Sequence, residues 1–168
     1  IALHSIAFAP KEALAGGLID CPADAFARAM DVSCHSFIRM ARLAAPLMTD
    51  GGSLFAMSYM GASKVVPNYN VMGPCKAALE ASVRYLAFEL GAKGIRVHAI
   101  SPGTLRTRAA SGLKEFDELM YEAVQKSPIG QLVDIDDVGV ALTYLATDYA
   151  RRLTGSTFYV DGGHNIMA

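Results

Sequence analysis

The chain has few cysteines, and none of them forms a CxxC pair: Cys21, Cys34 and Cys75 are scattered and odd in number. Such a set argues against a disulfide framework or a thiolate zinc site and fits a reducing, cytoplasmic compartment. His4 and His35 lack partners at metal-ligand spacing, so no metal is expected. No sign of charge dominates. Fifteen Lys and Arg face sixteen Asp and Glu, a formal net charge of −1, which leaves no global basic field for a nucleic acid. No apolar run reaches the roughly 20 residues of a membrane helix. The opening ten residues lack a basic start and carry His4, unlike a secretory signal. Charged residues are only 18% against 52% hydrophobic, a balance that excludes disorder and fits one compact α/β domain. Also absent is a glycine-rich turn after the first strand. Ile1 opens directly on residues that read as a buried strand, which needs neighbours on both sides. The expectation is that the chain is the later part of a longer protein.

What is present alternates between two periods. Residues 1–8 read as a strand and 11–22 as loop, broken by Gly16-Gly17 and Cys21-Pro22. Asp24 is expected to cap a helix reaching Met48, with a break near Asp31 to Ser33, because Phe37, Met40, Ala41, Ala44 and Leu47 recur at helical spacing. Further strands are expected over 53–58, 95–101 and 155–160, and helices over 70–90, 113–126 and 134–147. Strands alternating with long helices imply a parallel sheet with right-handed crossovers. The expected fold is the C-terminal part of a doubly wound, Rossmann-type parallel sheet in three α/β/α layers. Residues 1–168 are expected to form a single domain, incomplete at its N-terminus. Three missing strands with their crossovers amount to about 80–90 residues.

The chemistry concentrates in Asn68-Tyr-Asn-Val-Met-Gly-Pro-Cys-Lys76. Tyr69 and Lys76 are separated by two helical turns and would share nearly one face. An ammonium near a phenol favours the phenolate and lowers the phenol pKa. An isolated pair of this kind is more often a surface lysine beside a half-buried tyrosine. Pro74 suits a first helical turn and no deeper position, so the helix is expected to begin after Tyr69 and leave it on the approach loop.

Context changes the weight of the pair. It is followed by Ala-Ala-Leu-Glu and Arg-Tyr-Leu-Ala, then Gly-Ile-Arg-Val-His-Ala-Ile-Ser-Pro-Gly, and finally Leu-Thr-Gly-Ser-Thr-Phe-Tyr-Val-Asp-Gly-Gly. This order resembles the short-chain dehydrogenase/reductase superfamily over essentially the whole chain. Most members place the tyrosine four residues before the lysine, where this chain has Met72. The wider spacing resembles the bacterial enoyl-acyl-carrier-protein reductases. So do Ser5-Ile-Ala-Phe-Ala-Pro10, Ser58-Tyr59-Met-Gly-Ala, Pro67-Asn-Tyr-Asn-Val-Met-Gly73 and Arg106-Thr-Arg-Ala-Ala-Ser-Gly112.

The resemblance implies roles. Tyr69 would donate a hydrogen bond to a thioester carbonyl, and Lys76 would hold the nicotinamide ribose of NADH, or of NADPH. Tyr59 would be a second active-site tyrosine; its plain reading is a strand-end residue packed on the loop. Ser5, Ile6 and Ala7 would line the cofactor cleft, and Ala9 would lie beside the substrate. Leu105, Arg106, Thr107, Arg108 and Ala109 would cover the nicotinamide and pyrophosphate, or form an ordinary helix start. The reaction would be reduction of the trans-2 double bond of an enoyl thioester carried by acyl carrier protein, in bacterial type II fatty acid synthesis. The expected assembly is a cytoplasmic homotetramer. The rivals are another superfamily reductase, such as a 3-oxoacyl reductase, and a cofactor-free interaction module.

Three features read two ways. Leu113, Phe116 and Met120 are either a flap over the acyl chain or core. Glu115, Asp117 and Glu118 in the same stretch weigh against docking of an acidic carrier there. His98, where the family usually has asparagine, and Cys75 read as packed core residues.

Overall fold

A computed structural model describes residues 1–105 and 116–167. Four parallel strands form one sheet in the order β1 (Ala2–His4), β2 (Gly52–Met57), β3 (Ile95–Pro102) and β4 (Thr157–Val160). Leu54 pairs with Ala2 on one side and Val97 on the other, and Pro102 pairs with Val160. Both faces of β2 and β3 are covered, so nearly every residue of the central strands is buried.

The period-2 alternation divides the core into two layers. Leu54, Ala56, Val97 and Ala99 face a layer containing Phe37, Ala41, Leu79 and Val83. These come from α3 (Ser36–Ala44) and α4 (Met72–Gly91). Phe55 and Ile100 face the opposite way, onto Val138 and Leu145 of α6 (Ile135–Ala146). The expected layering is therefore present. At the opposite end of the sheet from the site, Gly51 has φ 79°, and a Cβ there would lie 2.7 Å from the Gly94 carbonyl oxygen. Only glycine fits that turn.

Several boundaries differ from the sequence reading. The first strand is three residues long, and residues 5–9 leave the sheet as exposed or half-buried backbone. The expected loop over 11–22 contains a helical turn, α1 (Lys11–Leu14), and a 3-10 turn at Leu18–Asp20. Asp24 is not a cap. Pro22 precedes α2 (Ala23–Met30), and Asp24 sits in the first turn, where a carboxylate suits the helix dipole. The break expected near Asp31 to Ser33 is a π-helical segment, Asp31–His35, which joins α2 to α3 without ending the helix. Met72 starts α4 and Pro74 lies in its first turn, so Tyr69 precedes the helix as the proline requires. Helix α5 spans Phe116–Lys126, and Leu113 lies outside the described residues. Met120 is 6% exposed and belongs to the core.

Candidate active site

The expected residues converge on the carboxyl ends of the parallel strands, where such sheets bind ligands. Ser5, Ile6 and Ala7 follow β1 and are exposed. Tyr59 follows β2, and Leu105 follows β3, half-buried on the apolar cluster that includes Phe55 and Ile100. Arg106, Thr107, Arg108 and Ala109 lie outside the described residues.

The two tyrosines meet. Their ring centroids are 5.1 Å apart at 63°, an edge-to-face contact. Tyr59 opens a tight 3-10 turn, Met60–Ala62, in which the Ala62 N–H donates to the Tyr59 carbonyl at 2.9 Å. Tyr69 sits between two left-handed asparagines, Asn68 at φ 62° and Asn70 at φ 44°. Asparagine is among the few non-glycine residues that tolerate this region. The Asn70 amide donates to the carbonyls of Leu14 (2.6 Å) and Gly16 (3.1 Å), tying the tyrosine loop to the segment around α1. Ala9 and Tyr69 both pack on the apolar cluster that contains Val71, Met72 and Cys75.

Lys76 lies in the second turn of α4 and is 5% exposed. Its ammonium donates to the Met57 carbonyl, at the end of β2, at 2.7 Å. Desolvation dominates its titration and pushes its pKa down to about 8, against weaker opposing effects from Cys75, Cys34 and Glu80. Tyr69 moves the other way. Burial, followed by its neighbours Tyr59 and Cys75, raises its phenol pKa well above the ordinary value. Burial also raises that of Tyr59, opposed by a hydrogen bond with Thr104. The expectation that an ammonium lowers the Tyr69 pKa is thereby corrected. Tyr69 is on a loop and Lys76 is on the helix turned toward Met57, so desolvation decides the phenol's state.

Sequence reasoning missed the supports. Ser33, fully buried on the π-helical segment, accepts from the Phe8 N–H at 2.9 Å and donates to the Phe8 carbonyl at 2.8 Å. It clamps the strand exit that carries Ser5 to Ala9. The Ser58 hydroxyl donates to Glu80 of α4 at 2.5 Å, and the Ser58 N–H donates to the Ile100 carbonyl at 2.7 Å. The only local signal was the helix break near Ser33. Cys75 and His98 are both fully buried. Burial lifts the Cys75 thiol to about 11, which makes it a poor nucleophile. His98 stacks on Phe55 and donates from Nε2 to the Leu153 carbonyl at 3.0 Å, a core role as expected. Among the described residues, no three His, Cys, Asp or Glu side chains group as metal ligands. Among the same residues, no helix is long and apolar enough to cross a membrane.

A parallel α/β/α sheet with its polar constellation at the strand ends defines the doubly wound, nucleotide-binding class of fold. The family described as Enoyl-(Acyl carrier protein) reductase matches residues 1–165. An enoyl-acyl-carrier-protein reductase (NADH) of Rhizobium meliloti is 46% identical over 99% of this chain and 62% of its own length. One from Aquifex aeolicus is 46% identical over the same two shares. Among solved structures, the Bacillus cereus reductase with NADP+ and indole naphthyridinone superposes with a TM-score of 0.96 at 42% identity, over 99% of this chain and 65% of that one. The Anaplasma phagocytophilum reductase in complex with NAD gives 0.93 at 48%, over 99% and 63%. The chain belongs to the enoyl-acyl-carrier-protein reductase family, and it spans about 62% of the length of these curated relatives.

Proposed function

We propose that the polypeptide carrying this chain reduces the trans-2 double bond of enoyl thioesters borne on acyl carrier protein, in bacterial type II fatty acid synthesis. The reductant is NADH, with NADPH as the alternative to be assayed. The observation that carries this reading is the position of the phenols. Met72, at the usual site of a superfamily tyrosine, is buried in an apolar cluster, whereas Tyr69 and Tyr59 are paired at the strand ends.

The residues fit a nicotinamide cofactor. Lys76 is a nearly buried cation held at the end of β2, and exposed Ser5, Ile6 and Ala7 follow the end of the neighbouring strand β1. When bound, NADH would supply a hydride to the β-carbon of the enoyl thioester. Negative charge would then develop on the thioester oxygen as an enolate, and a proton taken up at the α-carbon would complete the saturation. Tyr69 donates to that oxygen. Its raised pKa keeps the proton on the phenol near neutral pH, as a hydrogen-bond donor requires. Tyr59 packs edge-to-face on Tyr69 and limits where its hydroxyl can point. Lys76, held by the Met57 carbonyl, presents its remaining N–H groups to the ribose. Leu105 to Ala109, the last four outside the described residues, would serve the cofactor, and Ala9 would border the acyl chain. The proposed setting is the cytoplasm, and the proposed assembly is a homotetramer.

The test uses a polypeptide of the relatives' full length that contains these 168 residues. It should consume a crotonyl thioester with NADH oxidation and leave a 3-oxoacyl thioester untouched. Tyr69→Phe should lower crotonyl turnover about 10²- to 10³-fold without abolishing it, the effect of losing one oxyanion donor. Consumption of the 3-oxoacyl substrate in place of the enoyl would reject the assignment.

A further inference from the structure

We propose that Gly61 is a positioning residue for the Tyr59–Tyr69 pair, its missing side chain being the seat of the Tyr69 ring. The inference rests on the reductase reading above. A Cβ placed on Gly61 would lie 2.5 Å from Cδ1 and 2.7 Å from Cε1 of Tyr69, and 3.5 Å from Cδ1 of Tyr59. The first two distances are far inside the 3.4 Å at which ordinary contact begins. Backbone conformation does not demand the glycine. Gly61 is absent from the positive-φ residues and lies within the 3-10 turn, a conformation open to alanine. Space alone excludes a side chain there, and the Tyr69 ring fills that space.

The neighbouring backbone cannot absorb a clash cheaply. The 3-10 turn is closed by its own hydrogen bonds, and its far side abuts α4. A Cβ on Gly73 would come within 3.2 Å of the Gly61 carbonyl oxygen. On the other side, Asn70 pins the Tyr69 backbone to Leu14 and Gly16. The movable part is the Tyr69 side chain, whose hydroxyl is the proposed donor to the thioester oxygen. A methyl group on Gly61 therefore turns the ring away from Tyr59 and misdirects that hydroxyl.

The experiment is a double-mutant cycle in the full-length reductase, with crotonyl thioester and NADH. Gly61→Ala should lower kcat about 10²-fold, the scale of a misplacement near 1 Å, with the KM for NADH near wild type. Adding Tyr69→Phe to Gly61→Ala should then cost less than about threefold, because the hydroxyl is already out of place. If Gly61→Ala folds poorly, Tyr69→Ser in the same chain, which removes the ring, should restore its melting temperature. A kcat within twofold of wild type, full additivity with Tyr69→Phe, or a folding defect that persists beside Tyr69→Ser would each overturn the proposal. A wild-type enzyme inactive on crotonyl thioester would instead overturn the reductase reading.

Discussion

At the residue scale, Lys76 carries an unusual cost. Helix α4 and the end of β2 strip water from its ammonium, and a single described hydrogen bond, to the Met57 carbonyl, answers for it. Its pKa of about 8 therefore lies within the accessible range. Because kcat/KM reports groups of the free enzyme, it should be flat below this pH and fall as pH rises through about 8, when the proposed ribose-binding cation is lost. Stability should move the opposite way. The folded pKa is below the ordinary 10.5, so between about 8 and 10.5 the unfolded chain holds more protons and this group's contribution to stability rises with pH. Lys76→Arg keeps its charge throughout this range and should remove the alkaline limb, whatever it does to the plateau. An identical limb in that variant would assign the titration to another group.

At the element scale, the helices differ in how they begin. Helix α6 carries a full capping box. The Asp134 carboxylate accepts from the N–H groups of Asp136 (2.8 Å) and Asp137 (2.9 Å), and Asp137 accepts from the Asp134 N–H in return. Asp134→Ala should cost about 1 kcal/mol, read as a shift of the urea midpoint, with crotonyl reduction unchanged because α6 covers the face of the sheet away from Tyr69. A cost below about 0.3 kcal/mol would show that water replaces the cap. Helix α4 begins without a side-chain cap at Met72, directly from the loop that presents Tyr69. The π-helical segment is used differently again: its extra residue aims Ser33 at Phe8 while α2 and α3 continue as one rod.

At the scale of the whole molecule, the outer faces of α3 and α4 are left bare. Leu43 of α3 and Leu47, in the 3-10 turn Ala45–Leu47 that follows it, are 73% and 82% exposed, and Tyr85 and Phe88 of α4 are 71% and 87% exposed. Exposed large apolar side chains on these two helices fit the proposed assembly. The full-length protein should scatter light as a tetramer at micromolar concentration. Phe88→Asp should shift it to smaller species. A wild-type monomer would leave those faces without the proposed partner.

The sequence by itself determined the layer order, the parallel sense of the sheet and the off-helix place of Tyr69. Strand and helix periods, glycine stops and Pro74 are local signals that survive without any tertiary contact. It also determined the family, because Tyr69, Met72 and Lys76 stand at a diagnostic spacing. Tertiary structure alone decided the rest. The burial that raises the phenol pKa comes from residues distant in sequence, as does the Met57 carbonyl that holds Lys76. Ser33 reaches Phe8 across 25 positions, and Asn70 reaches Leu14 across 56. Nothing beside Gly61 in the sequence announces that the Tyr69 ring will occupy the space its side chain would fill. A period or a breaker acts within a few residues, whereas desolvation and close approach exist only once the chain has brought distant atoms together.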